Sequence, residues 1–65
     1  MSLYDYDQSK RVAAQGYPFY ALIMAAMRAA DTENEARLIR TFPTVWRELN
    51  ARYNAPGGML PEERK

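Results

Sequence analysis

Apolar residues along this chain recur three or four positions apart, and glycine and proline fall between the periodic stretches instead of inside them. That pattern predicts short helices joined by turns. No stretch shows the period of two that marks a half-buried strand. Asp7 can cap a first helix over about Gln8 to Gln15, with Val12 as its main inward residue and Gly16 suited to the left-handed C′ position. Tyr17 is held out of helical angles by Pro18, which can open a second helix running to about Ala30. Thr32-Glu33-Asn34-Glu35 reads as a capping box opening a third helix, Glu33 to about Thr41. It sets Leu38, Ile39 and Phe42 on one side, and Arg37 and Arg40 on the other. Phe42-Pro43 ends it, and Pro43 can start a fourth helix with Val45, Trp46, Leu49 and Tyr53 inward and Glu48, Asn50 and Arg52 outward. Asn54 suits the C′ position, and Ala55-Pro56-Gly57-Gly58 cannot continue a helix.

The expected organisation is an N-terminal tail at 1–7, a helical domain at 8–54 and a Pro/Gly-rich tail at 55–65, mobile from Met59 onward. The opening Met1-Ser2-Leu3 reads equally as native chain or as an expression scar, so no weight falls on it. The expected fold class is all-α: a small bundle of three to four short helices around a hydrophobic central helix, completed by oligomerisation.

The central helix carries that last expectation. Phe19 to Met27 is apolar around its whole circumference, and a helix of that kind must be surrounded. A chain of 65 residues buries only about 60% of its unfolded surface, so its other short helices leave a face for another chain to cover. A homo-oligomer follows, most simply a two-fold dimer. The alternative is a compact monomer that wraps the helix by itself. Rows of alanine, Ala21 with Ala25 and Ala29, permit close helix approach, and the adaptable Met24 and Met27 suit either a core or an interface. The candidate interface residues are Phe19, Ile23, Met24, Met27 and Trp46. The apolar run is too short for a membrane span, and the acidic, aromatic start lacks the pattern of a secretory signal, so a cytoplasmic location and no membrane partner are expected.

Charge and composition narrow the chemistry. Nine basic residues face eight acidic ones for a net charge of +1, which creates no general field for nucleic acid. The sequence has no His and no Cys. The commonest general base, the thiol nucleophile and the soft metal ligands are therefore missing, and no catalytic, cofactor-binding or metal-binding residue is assigned. Asp5, Asp7, Asp31, Glu33 and Glu35 stand at expected helix starts, where the helix dipole accounts for them.

Arg37, Arg40, Arg47 and Arg52 are the candidate anion or partner contacts, because a guanidinium fork can bind phosphate or carboxylate through two parallel bonds. Against that, Glu33 with Arg37 and Glu48 with Arg52 have the spacing of ordinary helix ion pairs. Arg28 interrupts the apolar helix and either pairs with Asp31 or marks the end that reaches water. The third and fourth helices invite a helix-turn-helix reading, but an inward-facing fourth helix lacks the exposed base-reading side chains it needs.

The run Tyr17-Pro18-Phe19-Tyr20-Ala21-Leu22-Ile23-Met24-Ala25-Ala26-Met27-Arg28, the Ala30-Asp31 step and the ending Arg52-Tyr53-Asn54-Ala55-Pro56-Gly57-Gly58 resemble small uncharacterised proteins encoded in phages and prophages. The resemblance spans roughly Val12 to Gly58 and carries no functional residues with it. It implies a context in which small accessory proteins act by binding a host or phage protein. The expected function is thus a non-enzymatic protein–protein interaction module, a phage or prophage accessory protein with an unidentified protein partner. The alternative is a small nucleic-acid-binding protein using the arginines of the two C-terminal helices.

Overall fold

The chain, described over residues 1–63 in a computed structural model, is all-α: four α-helices and no strand among the described residues. The first helix, α1, spans Leu3–Ala14 and so begins well before the expected Gln8. Its start lies in the residues read as a tail. Ser2 and Asp5 form a capping box, in which the Ser2 hydroxyl accepts from the Asp5 N–H at 3.2 Å and the Asp5 carboxylate accepts from the Ser2 N–H at 3.1 Å. Two otherwise unpaired groups are satisfied five residues earlier than an Asp7 cap would manage, and Asp7 becomes an ordinary helical residue bridged to Lys10 at 3.6 Å. The far end closes as expected, with Gly16 at a φ of 70° just after the C-cap Gln15.

Pro18 supplies the N-cap of α2 (Phe19–Ala29) instead of its first turn, because its ψ of 150° is extended while its carbonyl accepts from the Leu22 N–H. Helix α3 spans Thr32–Thr41 and is capped by Asp31, whose carboxylate accepts from the Asn34 N–H at 2.8 Å. The expected Thr32–Glu35 box is displaced by one residue, since the Asp31 carboxylate is as good a cap as the threonine hydroxyl or better. Helix α4 spans Pro43–Tyr53 with Pro43 in its first turn. Phe42 serves both helices: its N–H donates to Leu38 and its carbonyl accepts from Trp46. Asn54 ends α4 in right-handed geometry, and left-handed angles appear later, at Gly57 and Gly58, in a 3-10 turn.

Helices α2, α3 and α4 pack on one another, and the turn at Pro56–Gly58 packs on α4. Met27 and Leu49 are the buried apolar centre, ringed by half-buried Leu22, Ile23, Met24, Leu38, Ile39, Phe42, Val45 and Trp46. Phe19 meets Phe42 edge to face at 6.1 Å, tying the start of α2 to the α3–α4 corner. Tyr53, expected inward, is exposed, because α4 passes beyond its neighbours at its last turn.

Helix α1 stands apart: among the described residues, none of its Cα atoms comes within 8 Å of another element. The molecule is consequently elongated, 45 × 27 × 16 Å, with a radius of gyration of 13.9 Å. A compact chain of this length would have a radius of about 11 Å.

The segment read as a mobile tail folds back. Arg52 donates to both carboxylate oxygens of Glu63 at 2.7 Å, to the Gly58 carbonyl at 2.9 Å and to Glu48 at 3.2 Å, while Glu63 also accepts from the Leu60 N–H. One guanidinium thus fastens the strap to α4. The last two residues of the expected tail lie outside the described residues. No helix among the described residues is long and apolar enough to cross a membrane.

Candidate interaction surface

Gly16 and Pro18 separate α1 from the first turn of α2. Eight of the ten large apolar or aromatic side chains left exposed among the described residues fall within residues 1–20, so the uncovered surface is concentrated there. Tyr4 is 70% exposed, Tyr6 61%, Phe19 58% and Tyr20 60%. Singly exposed apolar residues are normal on any protein; here most of them are carried by two neighbouring segments, α1 and the start of α2.

Two open grooves border α2. One, of about 380 Å³, is lined by Val12 and Tyr17 on one side and Ala21, Leu22 and Ala25 of α2 on the other. The second, of about 300 Å³, runs between Tyr20 and Met24 of α2 and Thr44, Val45 and Glu48 of α4. Thus α2, apolar on every side, is covered by α3 and α4 on one flank only. Its Ala21, Ala25, Ala26 and Ala29 face outward.

The candidate interface residues divide by depth. Phe19 is on the open surface, Ile23 and Met24 are half-buried, and Met27, 1% exposed, belongs to the core of this chain. Trp46 is half-buried and, with Met27, Leu49 and Tyr53, lines a cleft of about 210 Å³ rimmed by Arg28, Glu35 and Asn50. Arg28 reaches this rim and forms no pair with Asp31, whose carboxylate is spent on capping α3.

The four candidate arginines are not brought together by any shared partner. Arg37 pairs with Glu33 at 2.7 Å and donates to Asn34 at 3.2 Å. Arg47 donates to Thr44, and Arg40 is exposed with no ion pair among the described residues. Arg52 is held by the strap, and its bonds to Glu63 and Glu48 raise its pKa further above the usual arginine value. Both four-apart pairs foreseen from the sequence, Glu33 with Arg37 and Glu48 with Arg52, are formed.

The described residues hold no group of three or more potential metal ligands and no buried polar side-chain atom without a partner. One carboxyl is displaced from its ordinary value: Arg52, then the Leu60 N–H, hold Glu63 down at about 2. That shift belongs to the strap, far from any enclosed cavity.

The sequence reading missed Leu3, Tyr4 and Tyr6 as surface residues of a helix. The signal was present as Ser2-x-x-Asp5, which has the spacing of a capping box with aspartate in the place of glutamate. Comparison with protein-family models, curated proteins and solved structures finds no match for this chain.

Proposed function

We propose that the chain is a non-enzymatic protein-interaction module that works through the apolar surface of α1 and α2, and that self-association, most simply as a two-fold dimer, is its first form. The observation that carries this reading is the concentration of exposed Leu3, Tyr4, Tyr6, Val12, Tyr17, Phe19 and Tyr20 in the first twenty residues, on α1 and the start of α2. Tyrosine and phenylalanine are the residue types enriched at interface cores, where a large rigid ring contributes area at small entropic cost. The resemblance to small phage and prophage proteins supplies a setting in which such binding is useful. The clefts are open to solvent, and the sequence offers no His or Cys to act in them as general base or thiol nucleophile. The arginines of α3 and α4 are spread among separate partners, which weakens the nucleic-acid alternative.

Sedimentation of the full chain with and without about 1 M NaCl, and with added DNA and RNA oligonucleotides, tests the reading. Association should hold or tighten with salt and should be lost in the double variant Phe19→Asp/Tyr20→Asp, with circular dichroism checking that α2 to α4 stay folded without the Phe19–Phe42 contact. Oligonucleotide binding that falls steeply with salt and vanishes in Arg37→Ala/Arg40→Ala would replace this reading with the alternative.

A further inference from the structure

The reading above leaves open what covers α1. Resting on that reading, we infer that the occupant is a second copy of this chain, and that the two copies exchange their first helices, α1 of each lying in the groove along the other's α2. Three observations carry the inference.

The first is that α1 is a helix without tertiary support. It has 12 residues, a complete capping box and no buried residue. Isolated helices of that length are marginal in water, and their stability in proteins comes chiefly from packing an apolar face. On α1, Leu3, Tyr6, Ala13 and Ala14 fall along one side with Lys10 among them, whose ammonium lies over the Tyr6 ring at 5.0 Å, so the apolar surface there comes from the small and aromatic side chains and the lysine stem.

The second is that the same chain carries an unfilled groove. Leu22 is half-buried on its floor, and Ala21 and Ala25 are exposed along it, small enough for a helix backbone to approach closely. The chain's own α1 contributes only Val12 to one wall of this groove, and the joint Gln15-Gly16-Tyr17-Pro18, in which Gly16 is left-handed and Pro18 fixes an extended entry to α2, leaves every α1 Cα more than 8 Å from α2. An uncovered helix and an uncovered groove on one molecule are self-complementary under a two-fold axis: one operation fills both grooves and covers both helices. An unrelated protein would have to bring both a helix and a groove at matching separation.

The third is area. The chain exposes 5530 Å², roughly 1,300 Å² more than the ~4,200 Å² expected of a compact monomer of its mass. A standard interface takes about 800 Å² from each partner. The surplus is therefore enough for a stable dimer, and removing it would return the assembly to ordinary compactness.

Two measurements on the full chain decide the matter. Ala21→Lys/Ala25→Lys places long, helix-compatible side chains in the groove at exposed sites, so α2 to α4 should fold unchanged. The unsubstituted chain should run at twice its monomer mass at millimolar concentration. The variant should run as a monomer, with the helical circular dichroism reduced through partial fraying of α1 alone. In a mixture of isotope-labelled and unlabelled chains, filtered nuclear Overhauser effects should connect Leu3 or Tyr6 of one copy with Leu22 or Ala25 of the other. A variant that keeps the unsubstituted mass overturns the inference, as do inter-chain contacts confined to α2 with α2. If such α2 contacts are abolished by Phe19→Asp/Tyr20→Asp, the interaction reading stands while the exchange falls. A chain that stays monomeric at millimolar concentration also overturns the exchange, and the interaction reading is then decided by the oligonucleotide titration.

Discussion

The N-terminal helix carries strong local signals for helicity and has no Cα within 8 Å of another element, whereas residues 55–63 carry few such signals and are fastened at their far end. At one end, a serine and an aspartate three residues apart satisfy backbone groups and a glycine closes the last turn. At the other, two prolines and two left-handed glycines break the chain, and the bidentate grip of Arg52 on Glu63 returns it to α4. Conformation and position are thus separable. Local hydrogen bonding decides whether a segment is helical, but only a side chain with matching geometry elsewhere in the fold decides where it lies.

The strongest way to break the comparison is to remove the core that α1 does not use. Met27→Ala should cost about 2–5 kcal/mol of the stability of α2 to α4, a large share of what so small a domain possesses. At a dilution where the chain is monomeric, thermal melting followed residue by residue should show α2 to α4 losing structure earlier, with the chemical shifts of Leu3–Ala14 unmoved. Loss of α1 in step with the core would show that the helix leans on it.

Ser2→Ala acts on the other side of the comparison. Removing the cap should cost about 0.5–2 kcal/mol, confined to the helicity of α1, and leave the melting of α2 to α4 where it was. Secondary chemical shifts across Leu3–Ala14 check this.

A smaller effect is expected at the strap. Glu63→Gln replaces a carboxylate that accepts two bonds from Arg52 with a neutral amide offering one acceptor oxygen, so the Leu60 N–H should exchange with solvent faster while the amides of α3 keep their protection. Unchanged exchange at Leu60 would mean the strap is held by something other than its carboxylate.

The mildest probe is acid. The folded-state pKa of Glu63, about 2, lies below its ordinary value of 4.5, so the contribution of the clasp is complete above that ordinary value and is lost as pH falls through about 2. The strap should stay closed at mildly acidic pH, with the side-chain carboxyl carbon of Glu63 titrating near the low value. A midpoint at the ordinary carboxylate value would show an open strap.

The helical class and three of the four joints were legible because their signals are local. Gly16 needs a positive φ, Pro18 excludes Tyr17 from the helix, and Pro43 sits where a missing N–H is harmless. The start of α1 was misplaced because Leu3-Tyr4-Asp5-Tyr6-Asp7 shows little amphipathic rhythm, and its helicity rests on the cap alone. The clasp was hidden for a different reason. Arg52 and Glu63 are eleven residues apart across two prolines, and no periodic rule joins them. Arg52 therefore read as a candidate anion contact or as the helix partner of Glu48. At the surface, the apolar circumference of α2 was plain in the sequence, but which flank stays bare depends on where α3 and α4 dock, and that is tertiary information.

The corner at Phe42 has a consequence in time. One residue closes α3 and opens α4, so the two helices that form most of the core wall are contiguous in the chain and can meet without closing a long loop. Chains whose contacts are so local reach their structure in microseconds to milliseconds. The encounter of two molecules is slower at micromolar concentrations, since typical association constants are about 10⁵–10⁷ M⁻¹s⁻¹. On the proposed pairing, newly made chains would pass through an interval in which α2 to α4 are already assembled and the aromatic side chains of α1 and the start of α2 are still bare. In that interval other chains would compete for the same surface, so the yield of paired molecules would depend on concentration as well as on affinity.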